Sequence, residues 1–182
     1  MTPSTDTSRD GPPRSLLIAA IAVGAVAIIA VLAIAAIRQS PPQQQPVPIA
    51  SVPAPRAESP ECRALMAALP EQLGDYRRVP AADPAPAGAA AWQAAQDAEP
   101  VILRCGLDRP AEFVVGVPIQ VVDAVQWFEV TDEDRSTWFA VDRPVYIALT
   151  LPSGSGPTPI QQISEVIART VTAKPIDPAP AR

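Results

Sequence analysis

The side chains that most often carry catalysis are scarce in this chain. It contains no histidine, one lysine (Lys174) and two cysteines, Cys62 and Cys105. Histidine is the commonest general base in enzymes. Its absence excludes the serine–histidine–acid triad and most zinc ligand sets. The sequence also contains neither a nucleophile elbow nor a glycine-rich phosphate-binding fingerprint. We therefore assign no catalytic residue, and we expect no cofactor and no metal ion.

Carboxylates are the remaining candidates for chemistry. Two of them converging in a pocket would support an alternative function, a hydrolase or transferase acting on envelope material. The acidic run 132–134 could also hold calcium, although three acids in succession are typical of a solvated turn. The acids in question are Asp123, Asp132, Asp134 and Asp142.

A repeated tripeptide and two aromatic pairs are the candidates for binding. Asp-Arg-Pro occurs at 108–110 and 142–144, so Arg109 and Arg143 could clamp an anion, or the motif could simply form two turns. Aromatic pairs occur at 127–128 and 138–139. Alternation along a strand sends one ring of each pair to the face opposite the other. Trp127 and Trp138 are thus candidate binding residues, and packing under a loop is the alternative.

The two cysteines fit a structural disulfide. Ser59-Pro60-Glu61 is typical of a helix start, which places Cys62 in the first turn. Alternation along a predicted strand at 101–105 places Cys105 on the face that can pack against this helix. We predict a Cys62–Cys105 bridge, which fits an oxidising compartment.

The order of elements predicts an α+β fold. A long loop is expected at 80–100, and a second capped helix is expected to begin at Thr158-Pro159. Residues 145–151 alternate cleanly, and proline and glycine interrupt the apolar stretches 113–117 and 119–122. We expect one N-terminal transmembrane helix, then a small two-layer domain of antiparallel sheet with two helices on one face. The interrupted stretches 113–117 and 119–122 are expected to form an edge strand or a bulge. The other predicted strands are residues 76–79, 101–105, 125–130, 136–141 and 145–151.

Residues 16–37 form a run of 22 uncharged, almost wholly apolar residues. A helix of that length reaches roughly 33 Å, enough for a hydrocarbon core of about 30 Å. A cleaved signal peptide is the alternative, but its apolar region would be about 7–15 residues. We predict a single-pass protein of the cell membrane with residues 1–15 in the cytoplasm and the C-terminal part extracytoplasmic.

Composition sets the remaining boundaries. Residues 39–60 hold seven prolines, which predicts an extended linker over 38–60, followed by a domain over 61–173 and a disordered tail over 174–182. From Glu58 onward there are 17 acidic and 10 basic residues. This net negative charge argues against nucleic acid as a partner.

Several of these features together resemble a known family. They are the single apolar span, the proline-rich spacer, Cys62 with Leu65 and Leu69-Pro70, the stretch 101–106 (Val-Ile-Leu-Arg-Cys-Gly), Trp127, and residues 142–146 (Asp-Arg-Pro-Val-Tyr). The chain resembles, from about residue 62 to 171, the actinobacterial envelope family labelled domain of unknown function 3515. The resemblance implies an envelope location and a cysteine pair, and it supplies no catalytic residue.

These observations favour a membrane-tethered cell-envelope protein of unknown activity. We expect its extracytoplasmic domain to bind another envelope protein or a cell-wall component and not to be an enzyme. The membrane itself is the other expected partner.

Overall fold

The computed structural model describes residues 14–39, 45–132 and 135–181, which divide into two compact units. The first contains helix α1 (Arg14–Gln39). Among the described residues, no helix is both long and apolar enough to cross a membrane. The helix predicted over residues 16–37 is present as α1. Its predicted transmembrane character is not confirmed. The predicted cytoplasmic segment 1–15 lies almost wholly outside the described residues.

The second unit contains one antiparallel sheet of eight strands and two helices, α2 (Pro60–Ala68) and α3 (Thr158–Thr170). The strands lie in the order β1-β2-β3-β4-β8-β7-β6-β5. The predicted α+β class and antiparallel sheet are confirmed. The strands are β1 (Gln72–Leu73), β2 (Tyr76–Val79), β3 (Ala89–Gln93), β4 (Val101–Leu107), β5 (Gln120–Val122), β6 (Val125–Asp132), β7 (Arg135–Ala140) and β8 (Tyr146–Pro152).

Both helices pack on the same face of the sheet. Alternation directs Leu103 of β4 and Ile147 and Leu149 of β8 into this layer, and all three are fully buried. From α3, Ile163 and Ile167 pack against them at helical spacing. The two-layer arrangement predicted from periodicity is therefore present.

Helix α2 begins as its sequence predicts. The Ser59 hydroxyl caps it by accepting a hydrogen bond from the Cys62 amide at 3.2 Å, and Pro60 fills the first position. Cys62 is bonded to Cys105 of β4, with Cα atoms 5.7 Å apart, so the bridge joins the two layers. In the chain-entropy model, a bridge closing a loop of this size contributes about 3–4 kcal/mol.

Helix α3 starts differently from the prediction. Its N-cap is Pro157, and no side chain caps the helix there. Thr158 is the first residue of the helix and does not act as the hydroxyl cap that the sequence predicts. The buried stripe of α3, and not its first turn, fixes its position.

Strand β3 lies inside the segment predicted to be a loop. Residues 89–93 pair with β2 and β4, and Trp92 is fully buried with its indole nitrogen donating to the Pro70 carbonyl at 2.9 Å. Alanine has low strand propensity, so local sequence gives little sign of this strand. Burial of Trp92 and pairing on both sides stabilise it.

The face opposite the helices is covered partly by a segment that we call the strap, residues 45–57. Val47 bridges to Ala81 and packs with Ile49 in a small apolar cluster. The Arg56 amide donates to the Gly106 carbonyl at 3.0 Å. This differs from the extended linker predicted over 38–60, because the second half of that segment lies on the domain.

Gly106 allows this contact. Its φ is +89°, and a Cβ there would lie 2.3 Å from the Ala57 amide nitrogen. Only glycine therefore fits between β4 and the strap at this position.

The C-terminal segment pairs with residues 113–115. The Val115 amide donates to the Ala179 carbonyl at 2.8 Å, and the Ala179 amide donates to the Phe113 carbonyl at 2.9 Å. The described part of the predicted disordered tail is thus hydrogen-bonded to residues 113–115. Those residues form no strand of the sheet, and only Gln120–Val122 of the interrupted stretch forms β5. The proline and glycine interruptions account for this shortening.

Candidate functional site

A groove of about 510 Å³ lies on the sheet face opposite the helices, and we call it the sheet-face groove. The strap forms one wall through Ala50, Val52 and Pro53. Its floor is the outward side of β4, β7 and β8. The residues that line it are Ala50, Val52, Pro53, Ile102, Arg104, Leu107, Asp108, Arg135, Thr137, Phe139, Ala148 and Thr150.

Most of this lining is apolar. Ile102, Phe139 and Ala148 present carbon surface, and the hydroxyls of Thr137 and Thr150 lie 3.1 Å apart, within hydrogen-bond distance of each other. Strands β4, β7 and β8 are each paired on both sides. Their backbone donors and acceptors are therefore used within the sheet, and the groove offers a ligand few polar groups.

Arg104 is the principal polar group in the groove. It is half-buried, and its Nη2 reaches the Ala50 carbonyl of the strap at 3.4 Å. Its Nε is buried without a hydrogen-bond partner, and it forms no ion pair with any described carboxylate. Burial lowers the pKa of this guanidinium from its usual value. This cation has lost part of its water without gaining a carboxylate partner.

The other charged groups lie at the rim. Arg135 donates to the Glu99 carboxylate at 3.1 Å, and both side chains are about half exposed. Asp108 is exposed. Since Arg135 already has a carboxylate partner, Arg104 is the cation through which the groove can select an anion.

A second groove, of about 390 Å³, lies on the helix side next to the loop 153–156 and the start of α3. Trp138 contributes a half-buried ring to its lining. Glu129 also lines it and is 3.5 Å from the side-chain amide of Gln120. Of the residues predicted to bind, Trp138 lines this groove, whereas Arg109, Arg143 and Trp127 line neither this groove nor the sheet-face groove.

The two predicted clamp arginines have separate partners. Arg143 is 2% exposed, and its Nη1 is 2.8 Å from the Asp142 carboxylate. Its Nη2 donates to the Ala124 carbonyl at 2.8 Å. Arg109 is paired with Asp177 of the C-terminal segment at 3.5 Å. Arg143 therefore holds the turn between β5 and β6, and Arg109 holds the C-terminal segment.

Trp127 lies in the hydrophobic core. It is fully buried, and its indole nitrogen donates to the Ser164 hydroxyl of α3 at 2.9 Å. On the opposite face, Phe128 is covered by Phe113, with ring centroids 5.6 Å apart. Packing under a loop thus accounts for Phe128, while Phe139 contributes its ring to the sheet-face groove.

The candidate carboxylates occupy different settings. Asp142 is buried in its ion pair, Asp123 has a φ of +53° in the turn before β6, and Asp132 is exposed at the end of β6. Asp134 lies outside the described residues. Nowhere in the described chain do three or more acids or cysteines gather as a metal site would require.

Arg104 is not among the binding residues predicted from the sequence. A signal was present, because Arg104 interrupts an apolar strand on the face opposite Leu103 and Cys105. Alternation assigns it to the face that the helices leave uncovered. What the sequence does not indicate is that the strap folds over this face and removes part of its solvent.

The fold and its grooves define a small α+β domain that is cross-linked by one disulfide and has a concave apolar surface on its sheet. The chain belongs to the family described as "Protein of unknown function (DUF3515)", whose model matches residues 21–176. This confirms the resemblance to domain of unknown function 3515. No curated protein and no solved structure matches the chain.

Proposed function

We propose that this protein is a membrane-tethered binding module of the cell envelope, whose extracytoplasmic domain holds its ligand or partner in the sheet-face groove. The observation that carries the proposal is the groove itself, an apolar concavity of about 510 Å³ around Arg104. Ligand sites typically have volumes of about 300–1,000 Å³ and combine apolar lining with a few polar groups.

Sequence and exposure support the tether. The run of 22 uncharged residues lies within α1, and the side chains described there are exposed. An uncharged run of about 20 apolar residues is long enough to span a bilayer, so the sequence of this segment supports the tether. The large exposed side chains of α1 are Ile18, Ile21, Val23, Val26, Ile28, Ile29, Val31, Leu32 and Ile34.

The Cys62–Cys105 bridge supports an extracytoplasmic location. Disulfides persist in oxidising compartments and are rare where thiols are kept reduced. The two arginines before the apolar run, Arg9 and Arg14, fit a cytoplasmic N-terminus.

The geometry favours binding over chemistry. The arginine of the groove is a permanent cation, suited to holding an anion and not to transferring protons at neutral pH. The threonine hydroxyls beside it lie against each other. The groove thus has the attributes of a recognition surface.

Photo-crosslinking in intact cells tests the proposal. A photoreactive phenylalanine analogue replaces Phe139 in the floor of the groove or Val52 in its wall, and the same analogue at Ala168, an exposed position on α3, is the control. We expect an adduct of defined mass from both groove positions and none from the control. Equal labelling at all three positions, or none at the groove positions, would refute a binding role for this surface.

A further inference from the structure

We propose that the sheet-face groove binds a small amphiphile, with an alkyl chain over Ile102, Phe139 and Ala148 and a single anionic head group at Arg104. This rests on the proposed function, because it names the ligand of the same groove. The head group can be a carboxylate or a phosphate, since both accept from a guanidinium in the same way. The ligand class is a lipid-like anion and not a peptide.

The charge of the groove selects the head group. Arg104 has a buried Nε without a partner and a long contact of 3.4 Å from Nη2 to the strap. A cation that has lost water without gaining a counter-ion is stabilised by an anion brought to it. Arg135 at the rim is already paired with Glu99 and contributes less.

The backbone of the groove floor favours an alkyl chain over a peptide. A peptide lying here would bring amides that need partners, but β4, β7 and β8 are each paired on both sides and cannot accept another strand. The two threonine hydroxyls are within hydrogen-bond distance of each other. An alkyl chain has no polar groups to satisfy, so it covers Ile102, Phe139 and Ala148 without this cost.

The strap runs beside both the arginine that would bind the head group and the apolar floor that would bind the alkyl chain. Ala50 provides the carbonyl that Arg104 contacts, and Val52 and Pro53 continue the same wall over the apolar floor. A ligand with one anionic end and one apolar end therefore finds both partners along a single wall of the groove.

Calorimetric titration of the full-length protein tests the ligand class. The protein is carried in phosphatidylcholine nanodiscs or, if it fractionates as a water-soluble protein, in buffer, with heats from empty nanodiscs subtracted. The probes are octanoate, octyl phosphate, 1-octanol and octylamine. We expect either anion to bind at least tenfold more tightly than the alcohol or the amine. Lengthening the chain by one methylene should tighten binding by about fourfold.

Variants locate the binding. Arg104→Gln should abolish the preference for the anions, Arg104→Lys should retain part of it, and Arg77→Gln, at an exposed arginine of β2, should leave it unchanged. Thr137→Phe fills the groove without removing Arg104, so it should weaken all four probes. This variant keeps the test decisive if Arg104→Gln does not fold.

The results distinguish a wrong ligand class from a wrong proposed function. Equal affinity for octanoate and 1-octanol, or an unchanged preference in Arg104→Gln, would overturn the amphiphile proposal. So would tighter binding of an acetylated apolar heptapeptide with a free carboxylate. If groove-specific adducts still form in cells in that case, the binding role stands and only its ligand class is wrong.

Discussion

At the scale of single residues, the hydrogen bond between Trp127 and Ser164 joins the sheet to α3 inside the core. Both residues are fully buried, and the donor and acceptor are 2.9 Å apart. Replacing Ser164 by Ala leaves the indole N–H without a partner in a site closed to water. We expect Ser164→Ala to lower the free energy of unfolding by about 1–3 kcal/mol. Urea unfolding of the full-length protein, followed by tryptophan fluorescence, measures this.

A serine on the surface provides the matched control. Ser51 of the strap is exposed, so Ser51→Ala should change the free energy of unfolding by less than about 0.5 kcal/mol. Equal effects of the two substitutions would mean that the indole N–H finds water or another acceptor after the serine is removed.

At the scale of elements, Gly106 tests the contact between β4 and the strap. Gly106 and Gly116 have similar φ values, +89° and +95°, but a Cβ at Gly116 would meet nothing within 4 Å. Both alanine substitutions carry the cost of a left-handed backbone, and Gly106→Ala also collides with residues 56 and 57. We therefore expect Gly106→Ala to destabilise the protein by about 1–3 kcal/mol more than Gly116→Ala.

Limited proteolysis distinguishes the two glycine variants independently. Cleavage near residues 45–57 should accelerate in Gly106→Ala and stay at the wild-type rate in Gly116→Ala, because only the first displaces the strap. Identical stabilities and cleavage rates would show that the strap does not depend on this close approach.

The first turn of α2 should make stability depend on pH. Hydrogen bonds from its own backbone amide and from the Ser59 hydroxyl lower the pKa of Glu61 below 4.5, with smaller contributions from Arg56 and Arg63, although desolvation opposes them. Because the folded-state pKa is lowered, the ionised carboxylate stabilises the fold fully above the unfolded pKa. This contribution is lost as the pH falls through the folded pKa.

We accordingly expect Glu61→Gln to reduce the urea midpoint at about pH 7 and to match the wild type once the pH lies below the folded pKa of Glu61. Glu71→Gln, at an exposed acid just after α2, should have a smaller effect at pH 7. A difference between Glu61→Gln and wild type that persists at the lowest pH would assign the effect to packing and not to charge.

The elements that sequence predicts best are those whose burial follows a simple period. The stripe of α3 and the alternation of β8 indicate their positions because each buries one side. Strand β3 is missed because its residues are mainly alanine, and pairing with β2 and β4 decides their conformation. The strap is missed because a proline-rich composition predicts an extended backbone but not what it packs against.

In the candidate site, too, local sequence predicts the face on which a residue lies but not what packs against it. Alternation could have placed Arg104 on the open face of β4, but its loss of solvent depends on Ala50, which is 54 residues earlier in the chain. The sequence analysis leaves two interpretations of the repeated Asp-Arg-Pro motif open, an anion clamp from Arg109 and Arg143 or two turns, because the motif alone does not define the surroundings of each arginine. One arginine is buried beside Asp142, and the other is bound at the surface to Asp177. Non-local packing therefore decides which arginine is open to a ligand.

At the scale of the whole molecule, the proposed tether depends on the uncharged character of residues 16–37. Placing two charges in the middle of that run with Ile28→Arg and Ile29→Asp costs about 2.5–3.5 kcal/mol per residue if this segment lies at the bilayer centre. We expect wild-type protein in the carbonate-washed membrane fraction and the double variant mostly in the soluble fraction.

A variant with one arginine and one aspartate added on the domain surface is the control for the added charges. Val115 and Val121 are 58% and 67% exposed, so Val115→Arg with Val121→Asp should leave the protein in the membrane fraction. Wild-type protein in the soluble fraction would refute the tether, and the sheet-face groove would then act without one. If Val115→Arg with Val121→Asp also releases the protein, attachment runs through the domain surface, because neither substitution changes the uncharged run of residues 16–37.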